Sequence, residues 1–196
     1  MTHRGLLTRV LLLATMLVAA NRAAPARAGA RLADVRGHML LGYAKLFDTG
    51  APGGSLSIGA GFDHPVAERL WVGLDIGYHL LGSRTLTQGS LSTGLDYTVF
   101  EALAMLHWAP DGRDPRFTLS AGPGLFVARA LLGASPVGAS FSGSAIEQTH
   151  LGLALGAMVA KRGAAPVRLG LQAGVRIIPL DAGNWTLTTA RVAILY

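Results

Sequence analysis

Apolar and polar residues alternate one by one along most of the chain from residue 36 onward. This period of two is typical of β-strands, whose successive side chains point to opposite faces of a sheet, and it differs from the longer helical period. The alternating segments predict eight strands, over residues 36–47, 55–63, 70–81, 96–108, 117–128, 146–160, 167–178 and 186–196.

The two faces of these predicted strands differ in side-chain size. One face is rich in large aliphatic and aromatic residues, such as Leu74 and Ile76, and contains no charge and no glycine. The interleaved face contains the charged residues, and 11 of its 39 positions are glycine. Small residues suit the interior of a closed barrel of about eight strands, which is only just wide enough for side chains. The bulky face then points outward, toward an apolar surrounding such as lipid.

A soluble ligand-binding barrel would show the opposite arrangement, with large apolar side chains inside and lysine, glutamate and threonine outside. The whole sequence has two lysines, Lys45 and Lys161. We therefore predict an all-β fold, a single closed antiparallel up-and-down transmembrane β-barrel of about eight strands. A soluble periplasmic ligand-binding barrel is the alternative.

The N-terminal segment has a different pattern. Two arginines precede an apolar run over residues 10–20, and Ala26 and Ala28 form an A-x-A site. A basic start, a short apolar core and small residues at the cleavage site describe a secretory signal peptide, which is too short to cross a bilayer as a helix. We predict that residues 1–28 are the signal peptide and that residues 29–196 are the barrel domain.

Removing that segment changes the charge of the chain. The full sequence has 17 basic and 11 acidic residues, but four arginines and no acid lie before residue 29. The net charge falls from +6 to +2, so the basic balance is no argument for nucleic-acid binding. The absence of cysteine excludes disulfides, thiol chemistry and a cysteine-linked lipid anchor. No later apolar run approaches 18 residues, the length that a helical membrane span requires.

Charges on the inward face need partners, because an unpaired buried charge is costly. Five polar side chains on this face, at or near mid-height, can meet across a narrow lumen; this predicted lumen network is Asp75, Glu101, Gln172, Arg176 and Arg191. Two interpretations stay open. The network is either a structural plug of ion pairs that fills the interior, or a gate whose charges control which solutes pass.

Three stretches carry a resemblance to a known family: GAGFDHPVAERLWVGLDIGY over residues 59–78, LSAGPGL over 119–125 and TTARVAILY over 188–196. In these patterns the chain resembles the small outer-membrane β-barrel proteins of Gram-negative bacteria, which have one eight-stranded domain after a signal peptide. Its C-terminus looks like the assembly signal of that family, a terminal aromatic residue preceded by apolar residues at every second position. The corresponding residues here are Val192, Ile194 and Tyr196.

The resemblance implies a location in the bacterial outer membrane and a structural, adhesive or weakly porin-like role. It implies contact with outer-membrane lipid and lipopolysaccharide, and insertion by the barrel-assembly machinery. A monomer without a nucleic-acid partner and without a cofactor is expected.

Some barrels of this size act on lipids, so a lipid-modifying outer-membrane enzyme is a further alternative. Deacylases of that kind carry a histidine followed by serine and asparagine on one strand, whereas His150 is followed by Leu-Gly and His79 by Leu-Leu. We therefore predict no catalytic residue. We also predict no metal site, because His38, His79 and His150 lack a recognisable ligand spacing.

Two local features complete the sequence-based expectations. Pro123 has no N–H to donate to a strand ladder, so we expect a bulge or a local break there. The longest predicted connections, residues 82–95 and 129–145, are rich in Gly, Ser and Thr, and we expect external contacts to be made by them.

Overall fold

The computed structural model describes residues 35–47, 51, 53–88, 91–112, 116–132, 145–161, 167–180 and 183–196. The predicted signal peptide lies outside these residues. The eight strands are β1 Arg36–Phe47, β2 Ser55–Ala67, β3 Leu70–Gln88, β4 Leu91–Trp108, β5 Phe117–Leu132, β6 Ala145–Ala160, β7 Arg168–Leu180 and β8 Gly183–Leu195. Across the described part of the chain, no helix is long and apolar enough to cross a membrane.

The strands form one closed antiparallel sheet. Each strand pairs with the next in sequence, and β8 pairs with β1. At the end of this closing seam, Gly37 and Tyr196 each donate a backbone N–H to the carbonyl oxygen of the other, at 2.9 and 3.0 Å. The ring of Tyr196 lies over Gly37, where a Cβ atom would collide with it. The predicted eight-stranded up-and-down barrel is thus confirmed.

The alternation assigned the two faces correctly. None of the positions predicted to point outward is buried, and none of those predicted to point inward is exposed. Leu74 and Ile76 are 52% and 56% exposed, for example, whereas Asp75 between them is 4% exposed. A continuous apolar exterior of this kind suits lipid. It contradicts the soluble alternative, which requires a hydrophilic outer surface.

The prediction of a long loop over residues 82–95 is wrong. β3 continues to Gln88 and β4 begins at Leu91, and the two strands stay paired to their ends. The backbone pairing of this hairpin overrides a composition that is typical of loops. Among the described residues, neither β2 nor β5 pairs with the tip of this hairpin, because β2 pairs with β3 only as far as His79 and β5 pairs with β4 only from Leu95. We call residues 82–88 and 91–94 the β3–β4 arm.

Pro123 lies within β5, which runs through it without a bulge. Its pairing with Leu153 of β6 is part of an unbroken register. On the other side, the pairing of β4 with β5 is interrupted opposite Ala104 and Met105. The expected local break therefore occurs on one side of the strand, as the missing N–H of proline explains. Of the second predicted long connection, residues 133–144 lie outside the described residues.

Candidate functional site

Inward-facing side chains fill the barrel, and they divide its lumen into two halves. The polar half occupies mid-height and the end that carries Tyr196. The apolar half extends to the opposite end, and its buried side chains come from seven strands and pack against one another. Its main members are Leu46, Leu81, Val99, Phe126, Ile178 and Leu187.

Glu101 is the centre of the polar half. Its carboxylate accepts hydrogen bonds from Nε and Nη2 of Arg176 at 2.9 and 3.2 Å, a bidentate and charge-assisted arrangement. Nη1 of Arg191 lies 3.5 Å from the same carboxylate, and its Nε donates to Gln172 at 2.9 Å. The two arginines and Glu101 are each at most 3% exposed. This network connects β4 across the lumen to β7 and β8.

Four of the five residues in the predicted lumen network therefore meet. Asp75 also points into the lumen, but its ion-pair contact is with His38 of β1, at 3.1 Å. Whether the network is a plug or a gate stays a prediction. The predicted assembly-signal residues Val192, Ile194 and Tyr196 all face outward and are 39% to 60% exposed.

A chain of contacts that the sequence analysis did not predict reaches the same carboxylate. The hydroxyl oxygen of Ser57 lies 2.9 Å from Nδ1 of His79, and Nε2 of that histidine lies 3.3 Å from Glu101. Hydroxyl, imidazole and carboxylate follow one another as in a hydrolase triad, although the two ring nitrogens have exchanged roles. All three residues are at most 1% exposed, and Glu101 is already engaged by two arginines. We interpret this series of contacts as structural, because no substrate can reach a serine enclosed in this way.

A second polar cluster lies nearer the end of the barrel that carries Tyr196. Carboxylates and imidazoles alternate in it: Asp75 contacts His38 at 3.1 Å, His38 contacts Asp63 at 3.5 Å, and Asp63 contacts His107 at 3.1 Å. We call these four residues the His–Asp cluster. They come from the four neighbouring strands β1 to β4.

The members of this cluster are far apart in the chain, so no local motif predicts it. One signal was present in the alternation, which places all four side chains on the inward face. The pairing of the strands, which only the structure gives, completes it: Gly61 lies opposite both His38 and Asp75, and Gly73 lies opposite Asp63. A glycine across the strand pair leaves room in the lumen for the polar side chain beside it.

A cavity of about 310 Å³ adjoins the His–Asp cluster at this end of the lumen. His38, Asp63 and His107 line it together with Arg36 and Trp71, whose ring lies 4.2 Å below the guanidinium group. The cavity gives one side of the cluster room for a small ligand.

The closed sheet, the apolar exterior and the filled lumen define the class of protein as a small eight-stranded transmembrane β-barrel. No protein-family model matches the sequence, and no curated protein sequence matches it significantly. Solved structures of outer-membrane barrels do match the fold.

Three of these structures are the neisserial surface protein A, a major outer membrane protein of Thermus thermophilus and the attachment invasion locus protein Ail of Yersinia pestis. Their TM-scores are 0.59, 0.58 and 0.54, at 15%, 12% and 13% sequence identity. Each match covers 83% of this chain and 96%, 97% and 99% of the other chain, respectively. The resemblance to small outer-membrane barrels is thus confirmed for the fold.

Proposed function

We propose that this protein is an integral outer-membrane barrel with a plugged lumen, which serves a structural or adhesive role through its surface rather than conducting solutes. The observation that carries this proposal is the filling of the lumen at both levels. Glu101 and Arg176 bridge it at mid-height, and the apolar half fills it above them.

The packing of the apolar half supports a permanent closure. Leu81, Phe126, Ile178 and Leu187 are each 0% exposed. An eight-stranded barrel has no spare width beside such side chains. A solute would have to displace them and also separate buried ion pairs, and removing the partner of a buried charge costs about 3 to 5 kcal/mol.

The β3–β4 arm supports a role at the surface. In the described part of the chain its strands pair with each other but not with β2 or β5, so their outer edges carry backbone N–H and C=O groups that these two strands do not pair. Such edges are sites where another chain can add a strand. Attachment and surface exposure also appear in the names of two structural neighbours.

The proposal also includes the location and assembly in the cell envelope that the resemblance implies. Export by the signal peptide, insertion by the barrel-assembly machinery, and monomeric contact with outer-membrane lipid and lipopolysaccharide belong to it. A lipid-modifying activity has less support, because Ser57 is enclosed on all sides.

Single-channel recording tests the plugged lumen. We expect protein purified from membranes to leave the baseline of a planar bilayer silent. A variant with Phe126→Ala and Leu187→Ala should show leak currents, because it removes two buried side chains of the apolar half. Steady conductance steps from the unchanged protein would overturn the plugged lumen.

A gated passage is the second candidate function, and the Glu101 network favours it. A gate predicts brief openings in the unchanged protein that become frequent in a Glu101→Gln variant, since one of its charges is lost. A plug predicts silence in the unchanged protein and instability of the variant. The same recordings separate the two.

Replacement of residues 84–93 by Asn-Gly tests the adhesive role. We expect cells that carry this variant to lose surface attachment, while the barrel still shows the gel-mobility shift on boiling that marks a closed barrel. A substitution in the turn at residues 109–112, at the opposite end of the barrel, is the matched control. Unchanged attachment by the shortened variant would contradict the role of the arm.

A further inference from the structure

The His–Asp cluster contains buried polar atoms whose hydrogen-bonding capacity is unused. Among the described residues, His38 Nε2 contacts Asp75 Oδ1 and His107 Nε2 contacts Asp63 Oδ1 at 3.1 Å each, but neither enclosed contact has the geometry of a good hydrogen bond. His38, Asp75 and His107 are each more than nine-tenths buried. Unsatisfied polar atoms are rare in protein interiors, and four in one cluster point to a missing partner.

We propose that His38, Asp63 and Asp75 bind a divalent transition-metal ion such as Zn²⁺, at the cavity end of the lumen. One ligand atom from each residue lies within 4.8 Å of the other two. Atoms bound to one tetrahedral zinc lie ~3.3 to 3.6 Å apart, given bond lengths of about 2.0 to 2.2 Å. The contact of 3.1 Å between His38 Nε2 and Asp75 Oδ1 is close to this spacing. Asp63 is the most exposed of the three, and its Oδ2 lies 3.5 Å from the other ring nitrogen of His38, Nδ1. Its side chain must therefore rotate toward Nε2 to complete the set.

The surroundings of the cluster favour a bound cation. A Cβ atom on Gly61 would collide with Asp75 Oδ1 and His38 Nε2, so glycine at this position keeps the space between them open. Two carboxylates and a neutral imidazole balance the charge of a divalent ion. His107 contacts Asp63 at 3.1 Å and is placed to orient it as an outer partner.

The donor set also indicates the kind of ion. A mixture of imidazole nitrogen and carboxylate oxygen suits Zn²⁺ and related transition metals, whereas Mg²⁺ and Ca²⁺ prefer oxygen alone. Three protein ligands leave a coordination position free, and the adjoining cavity gives access to it. The proposed site does not depend on whether the lumen is plugged or gated.

Calorimetric titration of ZnCl₂ into untagged, chelator-treated protein in detergent tests the site. We expect one Zn²⁺ per chain, and affinity at least tenfold weaker in His38→Asn and Asp75→Asn variants. His150→Asn is the matched control, because this histidine also faces inward but lies on β6 and contacts Gln148 instead. It should bind Zn²⁺ like the unchanged protein. The mobility shift on boiling identifies variants that still fold.

X-ray absorption of the zinc-loaded, unchanged protein keeps the test independent of variants that fail to fold. We expect one imidazole and carboxylate oxygens around the ion. Absence of stoichiometric binding, equal affinity in the two ligand variants, or two or more imidazoles around the zinc would overturn the proposed site. Binding of Ca²⁺ as tight as that of Zn²⁺ would overturn its assignment to a transition metal.

Discussion

The two halves of the lumen are filled by different kinds of side chain. In the apolar half, Leu81, Phe126 and Leu187 are fully buried and need only complementary shape. In the polar half, Glu101 and its two arginines are buried to the same extent, but each needs a partner at a defined distance and angle. The enclosure is therefore equal, while the demands on geometry are not.

This difference predicts where the barrel tolerates amino-acid substitution. Dispersion and apolar burial are non-directional, so a packed apolar layer accepts another side chain of similar volume. A buried ion pair is directional, and losing one partner leaves the other charge uncompensated. We expect single substitutions to be most damaging in the polar half, although its charges contribute less net stability than their number suggests.

Glu101→Ala should have the largest effect. It leaves Arg176 and Arg191 buried without their carboxylate, so we expect unfolding in urea from lipid vesicles to show a loss of about 3 to 5 kcal/mol. The control is Glu147→Ala, an exposed glutamate of β6, which should change stability by less than about 0.5 kcal/mol. Similar stabilities of the two variants would show that the buried ion pairs do not make the polar half sensitive to substitution.

Leu187→Ala examines the apolar half. Removing a fully buried leucine side chain leaves a cavity, and we expect a loss of about 2 to 5 kcal/mol in the same urea experiment. Leu187→Met keeps the volume and should cost less than about 1.5 kcal/mol. If the methionine variant is as unstable as the alanine variant, this half is not tolerant in the way proposed.

Ser57→Ala should have an intermediate effect. It removes the partner of His79 Nδ1 at a site with no access to water, and an unsatisfied buried group costs about 1 to 3 kcal/mol. Ser83→Ala, at an exposed hydroxyl of β3, provides the comparison and should be within about 0.5 kcal/mol of the unchanged protein. Equal losses of stability in the two serine variants would show that the buried hydrogen bond contributes no more than the exposed one.

The smallest effect is expected when both partners of an ion pair are lost. In a chain that already carries Glu101→Ala, the further change Arg176→Met should cause no further loss and should recover part of the lost stability, because it removes a charge without a partner. Urea unfolding of the single and double variants measures the difference. A full additive loss would mean that Arg176 stabilises the barrel through contacts other than Glu101.

The strands and their faces were predictable because the information for them is local. A residue such as Leu74 and its neighbour Asp75 point to opposite sides of any strand, whatever that strand pairs with. The same reasoning failed for residues 82–95, where local composition indicated a loop. There the pairing of β3 with β4 supplies hydrogen bonds that propensity does not record.

The partners inside the lumen were predictable only in part. The inward positions of Glu101, Arg176 and Arg191 followed from alternation, and so did the need for opposite charges to meet. Asp75 contacts His38 because the stagger between β1, β2 and β3 brings both of them beside Gly61. That stagger is a property of the closed sheet and has no counterpart in the local pattern.

Local alternation thus specified the strands, the lipid-facing surface and the set of polar side chains that enter the lumen. The closed barrel decided which of them touch. Glu101 and Arg176 are 75 residues apart in the chain and lie on strands at opposite sides of the lumen. Their contact requires closure of β8 on β1. The ion pair can form only after the closed sheet has brought the two strands face to face.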